Sequence, residues 1–280
     1  MQFEFPGTLG VPDGRYLARE GGSERVLVVE TLGAPPARRR RRRARAAEPS
    51  RDPDPLPLTR VTAVRAQEPY ESEEEAGEWL EATASSEEAA DDAVAAAIGL
   101  LNRALHAQAV SSADPRGAEL SVEGATAVRL GHGSGKEVAA GRYTAAREVD
   151  VGPGGSRRRQ REEELRPQER LAAVLGERER LDACETLILR ARADLEAGRR
   201  REAALQLRVG LEALLVELDG ALADPSHEED MTELGARRGE AGEAANAALR
   251  GDLPLDDERR VEELTALCER VLRRRRVLRG

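Results

Sequence analysis

The most suggestive chemistry in this chain is a glycine-rich loop that carries its only lysine: Gly131, His132, Gly133, Ser134, Gly135 and Lys136. Backbone amides left open by glycine, beside an ammonium group, are the ingredients of an anion cradle, which makes these six residues the candidate ligand-binding site. The match to known phosphate loops fails at defined positions. A P-loop has glycine five residues before its Gly-Lys pair and Ser or Thr after the lysine, and here those positions hold Leu130 and Glu137. The dinucleotide pattern G-x-G-x-x-G fails as well, because its sixth position is Lys136. Glycine serves turns as readily as ligands, so a flexible hairpin connection competes with the ligand-loop reading.

Elsewhere the reactive residue types stand apart. His106 falls on a long apolar-periodic segment, His132 in the loop and His227 beside Pro225, none with a partner at metal-ligand spacing. There is no H-E-x-x-H, no G-x-S-x-G and no cysteine set for zinc, so no metal, cofactor or catalytic residue is expected. Glu73, Glu74 and Glu75 read as first-turn partners of a helix dipole or as a solvated face. The arginine runs at residues 38–43, 157–161 and 273–276 suit phosphate. Arginine, however, supplies 43 of the 44 basic side chains, a bias that GC-rich coding produces without selection for binding. A net charge of −9 repels phosphate over most of the surface, and 2% aromatics leave few platforms for stacking on bases. Nucleic-acid or polyphosphate association is an alternative confined to those segments.

Two stretches that cannot pack divide the chain. Residues 34–57 mix prolines with arginines and aspartates, and residues 151–164 are rich in glycine and arginine. Both offer too little apolar surface to offset the entropy of ordering and read as disordered linkers. They leave residues 1–33 and 58–150 as one α+β domain and residues 165–280 as a helical domain, a division that 280 residues can support with two cores. Few aromatics and 35% charged residues mean cores built from Leu, Val and Ala. Cys184 and Cys268 match no C-x-x-C spacing and read as reduced, buried thiols. Glu4 stands where a signal peptide would be basic, and no segment approaches the roughly 20 apolar residues of a membrane span. The expectation is a cytoplasmic protein without membrane association.

In the first domain, residues 14–20 and 24–31 are short β-prone runs separated by Gly21 and Gly22, which predicts a hairpin. Residues 59–66 predict a third strand, with Val61 and Val64 on opposite faces. Residues 71–84 and 86–109 read as helices. The second carries Val94, Ala97, Ile98, Leu101 and Leu105 at spacings of three and four, a face that should dock on the sheet. Residues 126–130 and 142–149 read as two more strands around the glycine-rich turn. The segment V-x-x-G-R-Y occurs at residues 11–16 and 138–143, and each Arg-Tyr pair is expected to open a strand. The fold expected here is a small mixed sheet with one or two helices.

The second domain has the stronger pattern. Leu181, Cys184, Ile188, Ala191 and Leu195 hold one helical face, Gly198 follows as a left-handed cap, and Ala204, Leu207, Leu211, Leu214, Leu215 and Leu218 form a matching stripe. These should pack as an antiparallel hairpin. Residues 167–178 supply a helix before it, and residues 228–249 and 256–278 one each after it, giving a helical bundle or hairpin array. The 228–249 helix is weakened by three glycines. Across residues 181–218, the order Gly198, Glu202, Ala203, Leu207, Gly210 resembles a single tetratricopeptide-type hairpin, with Ala203 and Gly210 at its small-residue contacts. That resemblance implies a helical interaction module, although the family's aromatic positions are not filled and no proline follows the second helix. The function expected is a noncatalytic interaction or scaffold protein that binds a protein partner or itself through these helices. An enzyme or ligand binder using the Gly131 to Lys136 loop is the remaining alternative.

Overall fold

A computed structural model describes residues 1–20, 23–33, 56–65, 69–150, 167–220, 224–251 and 253–279. The Gly21-Gly22 turn and the expected linkers, apart from residues 56–57, lie outside the described residues. The chain forms two compact units, Met1–Pro153 and Gly154–Gly280.

In the first unit β1 (Gln2–Pro6), β2 (Gly14–Glu20), β3 (Ser23–Leu32), β4 (Leu58–Arg65), β5 (Ala127–His132) and β6 (Ala145–Glu148) make one sheet in the order β2-β3-β4-β1-β5-β6. The class is α+β. All five pairings are antiparallel, so the sheet is not mixed. β1, which the sequence pattern does not announce, is one of the two central strands. In β1 the residues alternate, with Phe3 and Phe5 at 0% and 2% exposure on one face and Gln2 and Glu4 on the other. Phe3 lies opposite Val61 on one side and Val128 on the other.

Helices α1 (Glu73–Ala84) and α2 (Glu87–Ser112) belong to the phenylalanine side of the sheet. Ser72 and Ser86 cap them by accepting from the Glu75 and Ala89 amides. Val94, Ala97, Leu101 and Leu105 of α2 share one core with Phe3, Phe5, Leu27, Val29 and Val61. By length and composition α2 reaches the membrane-span threshold that the sequence reading placed beyond every segment, yet its apolar stripe is spent on that core. Asn102 fixes the chain's return to the sheet by bonding both the amide and the carbonyl of Leu120 (2.9 and 3.0 Å).

After the single turn α3 (Gly135–Val138) of the first unit, the second unit contains α4 (Pro167–Leu175), α5 (Ala183–Glu196), α6 (Arg200–Glu217), α7 (Pro225–Ala236), α8 (Arg238–Arg250) and α9 (Leu255–Arg279). One core joins Cys184, Ile188 and Ala191 of α5 to Leu207, Leu211 and Leu214 of α6, Leu234 of α7, Ala244 and Ala248 of α8, and Val261, Leu264 and Cys268 of α9. The α5–α6 hairpin closes as its stripes require. Gly198 adopts φ +72° at the turn. A Cβ at Gly210 would lie 2.8 Å from Ile188 Cδ1 and 3.1 Å from Leu187 Cβ, so glycine is what lets the two helices approach. Leu181 departs from the expected stripe: it precedes the helix and is 58% exposed. The single helix expected at residues 228–249 is two, divided at Arg237 (φ −90°, ψ 3°). Gly235 and Gly239 flank the break, and the Arg237 guanidinium is tied to Glu240 and Glu263.

Candidate interaction surface

The glycine-rich loop is part of the sheet. Gly131 and His132 are paired in β5 with Ala146 and Ala145, and the Thr144 amide donates to the His132 carbonyl. Ser134 precedes the single turn α3 (Gly135–Val138), and its hydroxyl donates to Glu137 Oε2 (3.0 Å). Two of the glycines answer to crowding. A Cβ on Gly131 would meet the Ala145 carbonyl at 2.8 Å and the Tyr143 ring at 3.0 Å, and one on Gly133 would meet the Thr144 amide at 3.0 Å. The six residues therefore form a hairpin connection, with Ser134, Gly135 and Lys136 exposed. The repeated V-x-x-G-R-Y segment opens β2 at its first copy. At the second, Tyr143 sits in the turn before β6, so the shared strand-opening role does not hold.

Above that turn the second face of the sheet carries a polar cluster. Glu4 Oε1 accepts from Arg129 Nη1 (3.0 Å) and from Arg60 Nη2 and Nε (3.2 and 3.3 Å). Burial works to raise the Glu4 carboxyl, but the hydrogen bonds and charges of Arg129 and Arg60 prevail and hold it below its ordinary value. Gln2 Nε2 donates to Thr62 Oγ1 (3.1 Å). The Tyr143 hydroxyl is buried beside them without a formed hydrogen bond among the described residues, and burial raises its pKa. One carboxylate between two guanidiniums ties β1, β4 and β5 together.

In the second unit the expected thiol placement is met, since Cys184 and Cys268 are both fully buried and unpaired. Burial, reinforced by the hydrogen bond and charge of Glu217, pushes the Cys184 thiol up to about 12. Burial and then the Glu269 charge do the same for Cys268. Thiolate is the reacting form, so a disulfide-exchange reagent at pH 8 should label neither cysteine in the native chain and both after urea unfolding. Rapid native labelling would contradict this packing. His227 is likewise buried, and neither ring nitrogen has a hydrogen-bond partner among the described residues. No group of three His, Cys, Asp or Glu side chains among those residues could hold a metal ion.

Of the arginine runs, residues 38–43 and 157–161 lie outside the described residues. In the third, Arg274 binds Asp230 and the Ser226 carbonyl, Arg275 binds Asp182, and Arg276 donates to Glu185 Oε1 at 3.3 Å. Three of its four arginines are thus ion-paired inside the unit. Glu185 is the hub. Its other oxygen accepts from Arg170 Nη2 (2.6 Å) and from the Asp182 amide (3.4 Å). Glu217 of α6 completes the arrangement by accepting from the Ala183 and Cys184 amides, which would otherwise be unpaired at the start of α5.

Several aliphatic side chains stand exposed on the second unit. Leu189 on α5 and Val209 and Val216 on α6 are 69%, 55% and 78% exposed, and Leu171 and Leu175 stand out from α4. These positions are not among the residues that the sequence pattern singles out. Their signal was present as apolar residues lying off the buried stripe, such as Leu189 beside Ile188. A depression between α8 and α9, about 590 Å³, is lined by paired charges, among them Arg237 with Glu240 and Glu263, and Arg259 with Asp256. It offers no apolar enclosure for a small molecule. Compared with protein-family models, characterised proteins and solved structures, the chain finds no match in any of the three. The tetratricopeptide resemblance therefore rests on one hairpin.

Proposed function

We propose that this chain is a noncatalytic interaction or scaffold protein whose helical unit binds another protein surface. The observation that carries the reading is the set of aliphatic side chains on the outer faces of α5 and α6, at Leu189, Val209 and Val216, on helices whose inner faces are already filled. Solvent exposure of several β-branched and leucine side chains on one helical pair supports a docking role. The internal use of Arg274, Arg275 and Arg276 supports protein over phosphate as the partner. The test compares the full chain with Leu189→Glu and with the Val209→Glu/Val216→Glu pair, both as baits and in light scattering. The reading expects a retained protein or a self-associated species that at least one variant loses while its circular dichroism is unchanged. A monomeric chain that retains nothing, or retains the same proteins in all three forms, would overturn it.

A further inference from the structure

The α5–α9 seam has a fixed register. Arg192 Nη2 and Nε bind Glu269 at 2.7 and 2.9 Å, and Arg276 binds Glu185. These ties lie one turn to either side of Leu189 and run α5 antiparallel to α9, which sets Leu189 against the turn of α9 that holds Arg273. Along the outer lip the charges separate. Exposed Arg273 lies at one end, with no ion-pair partner among the described residues. Exposed Glu196 and Glu262 lie at the other, where with Glu269 they act on the single Arg192. Between the two ends the lip carries Ala193 and exposed Ala266, small enough for another backbone to come close.

We infer that this seam binds the same seam of a second copy of the chain about a twofold axis near Ala193 and Ala266. The inference rests on the interaction reading above and names its partner. A partner of one charge sign would match one end of the seam and be repelled at the other. A second copy related by a twofold axis runs the opposite way, so the arginine end of each copy meets the glutamate end of its mate, as an isologous contact requires. Leu189 then lies one turn from the axis on the arginine side, opposite the turn of the other copy that leads to Glu196. The seam from Glu262 to Val277 is roughly 22 Å long at the helical rise, which places the contact at the small end of specific interfaces. The dimer should accordingly be weak, and its charged ends make it sensitive to salt.

Sedimentation velocity on the full chain tests this across concentration, in low and high salt. The expected result is a reversible dimer that salt dissociates. Arg273→Glu and Glu262→Arg each weaken it by about tenfold or more, as unlike charges become like. Combined in one chain, the two reversals restore it. Arg273 and Glu262 are too far apart on α9 to pair within one molecule, so rescue reports only contact between copies, and both are exposed, so neither change should affect folding. Val216→Glu, on α6, should leave the dimer intact. A monomer at every concentration overturns the inference, and the interaction reading then stands or falls on the bait comparison alone. A dimer indifferent to both reversals, or not rescued by the pair, overturns this seam while leaving self-association through another surface.

Discussion

Phe3→Ala should cost the first unit about 3–5 kcal/mol, the range for truncating a buried phenylalanine where the surroundings cannot collapse. Phe3 is fully buried in a central strand, flanked by Val61 on β4 and Val128 on β5 and sharing a core with α2. The hole would open where two strand pairings and the helix layer meet. Against a typical domain stability of about 5–15 kcal/mol, such a loss consumes about a fifth or more of the total. Urea titration followed by hydrogen exchange measures it. The midpoint should fall, and the amides of Leu27, Val29 and Val61 should lose protection while those of Leu207, Leu211 and Leu264 keep theirs. Should the alanine variant fail to fold, Phe3→Leu, which keeps most of the volume, should cost less than about 1.5 kcal/mol. A loss below about 1 kcal/mol for Phe3→Ala would mean that β1 is not central in the sheet, since surface or edge positions give effects of that size.

Why β1 escaped the sequence reading while its neighbours did not is a matter of length and context. Gln2, Phe3, Glu4 and Phe5 give two alternations with no turn signal before them, too short a pattern to separate from chance. The hairpin of β2 and β3 was legible because seven or more β-prone residues flank paired glycines. The α5–α6 hairpin was legible for a similar reason: each helix carries several apolar residues on one face, and Gly198 and Gly210 mark its turn and its closest approach. The division at Arg237 was not, because propensity reports that three glycines weaken a helix without saying where it yields. The place is set by long-range ties, from Arg237 to Glu263 on α9. The same limit applies to the candidate surfaces. Gly131 reads as a ligand glycine until the Tyr143 ring is seen against it. Arg274, Arg275 and Arg276 read as an open basic run until Asp230, Asp182 and Glu185, distant in sequence, are found beside them.

That last group carries the second large effect. Glu185→Gln should destabilise the native chain by about 2 kcal/mol at neutral pH, below the 3–5 kcal/mol of a fully buried pair because Arg170 and Arg276 keep part of their access to water. The amide retains the shape but leaves two guanidiniums facing a neutral group, and it weakens the link between α4, the start of α5 and the end of α9. The pH dependence identifies the cause. Burial alone would raise the Glu185 carboxyl, but the hydrogen bond and charge of Arg170, followed by the charge of Arg276, hold it below its ordinary 4.5. A carboxyl depressed in the folded state binds its proton more readily in the unfolded one. Its stabilisation is therefore complete above the ordinary value and is lost as pH falls through the folded value. The stability gap between the native chain and Glu185→Gln should be widest at neutral pH and should close on acidification below that ordinary value. A gap that stays constant with pH would place the effect in side-chain packing and remove charge as the force that ties the ends of α5 and α9 together.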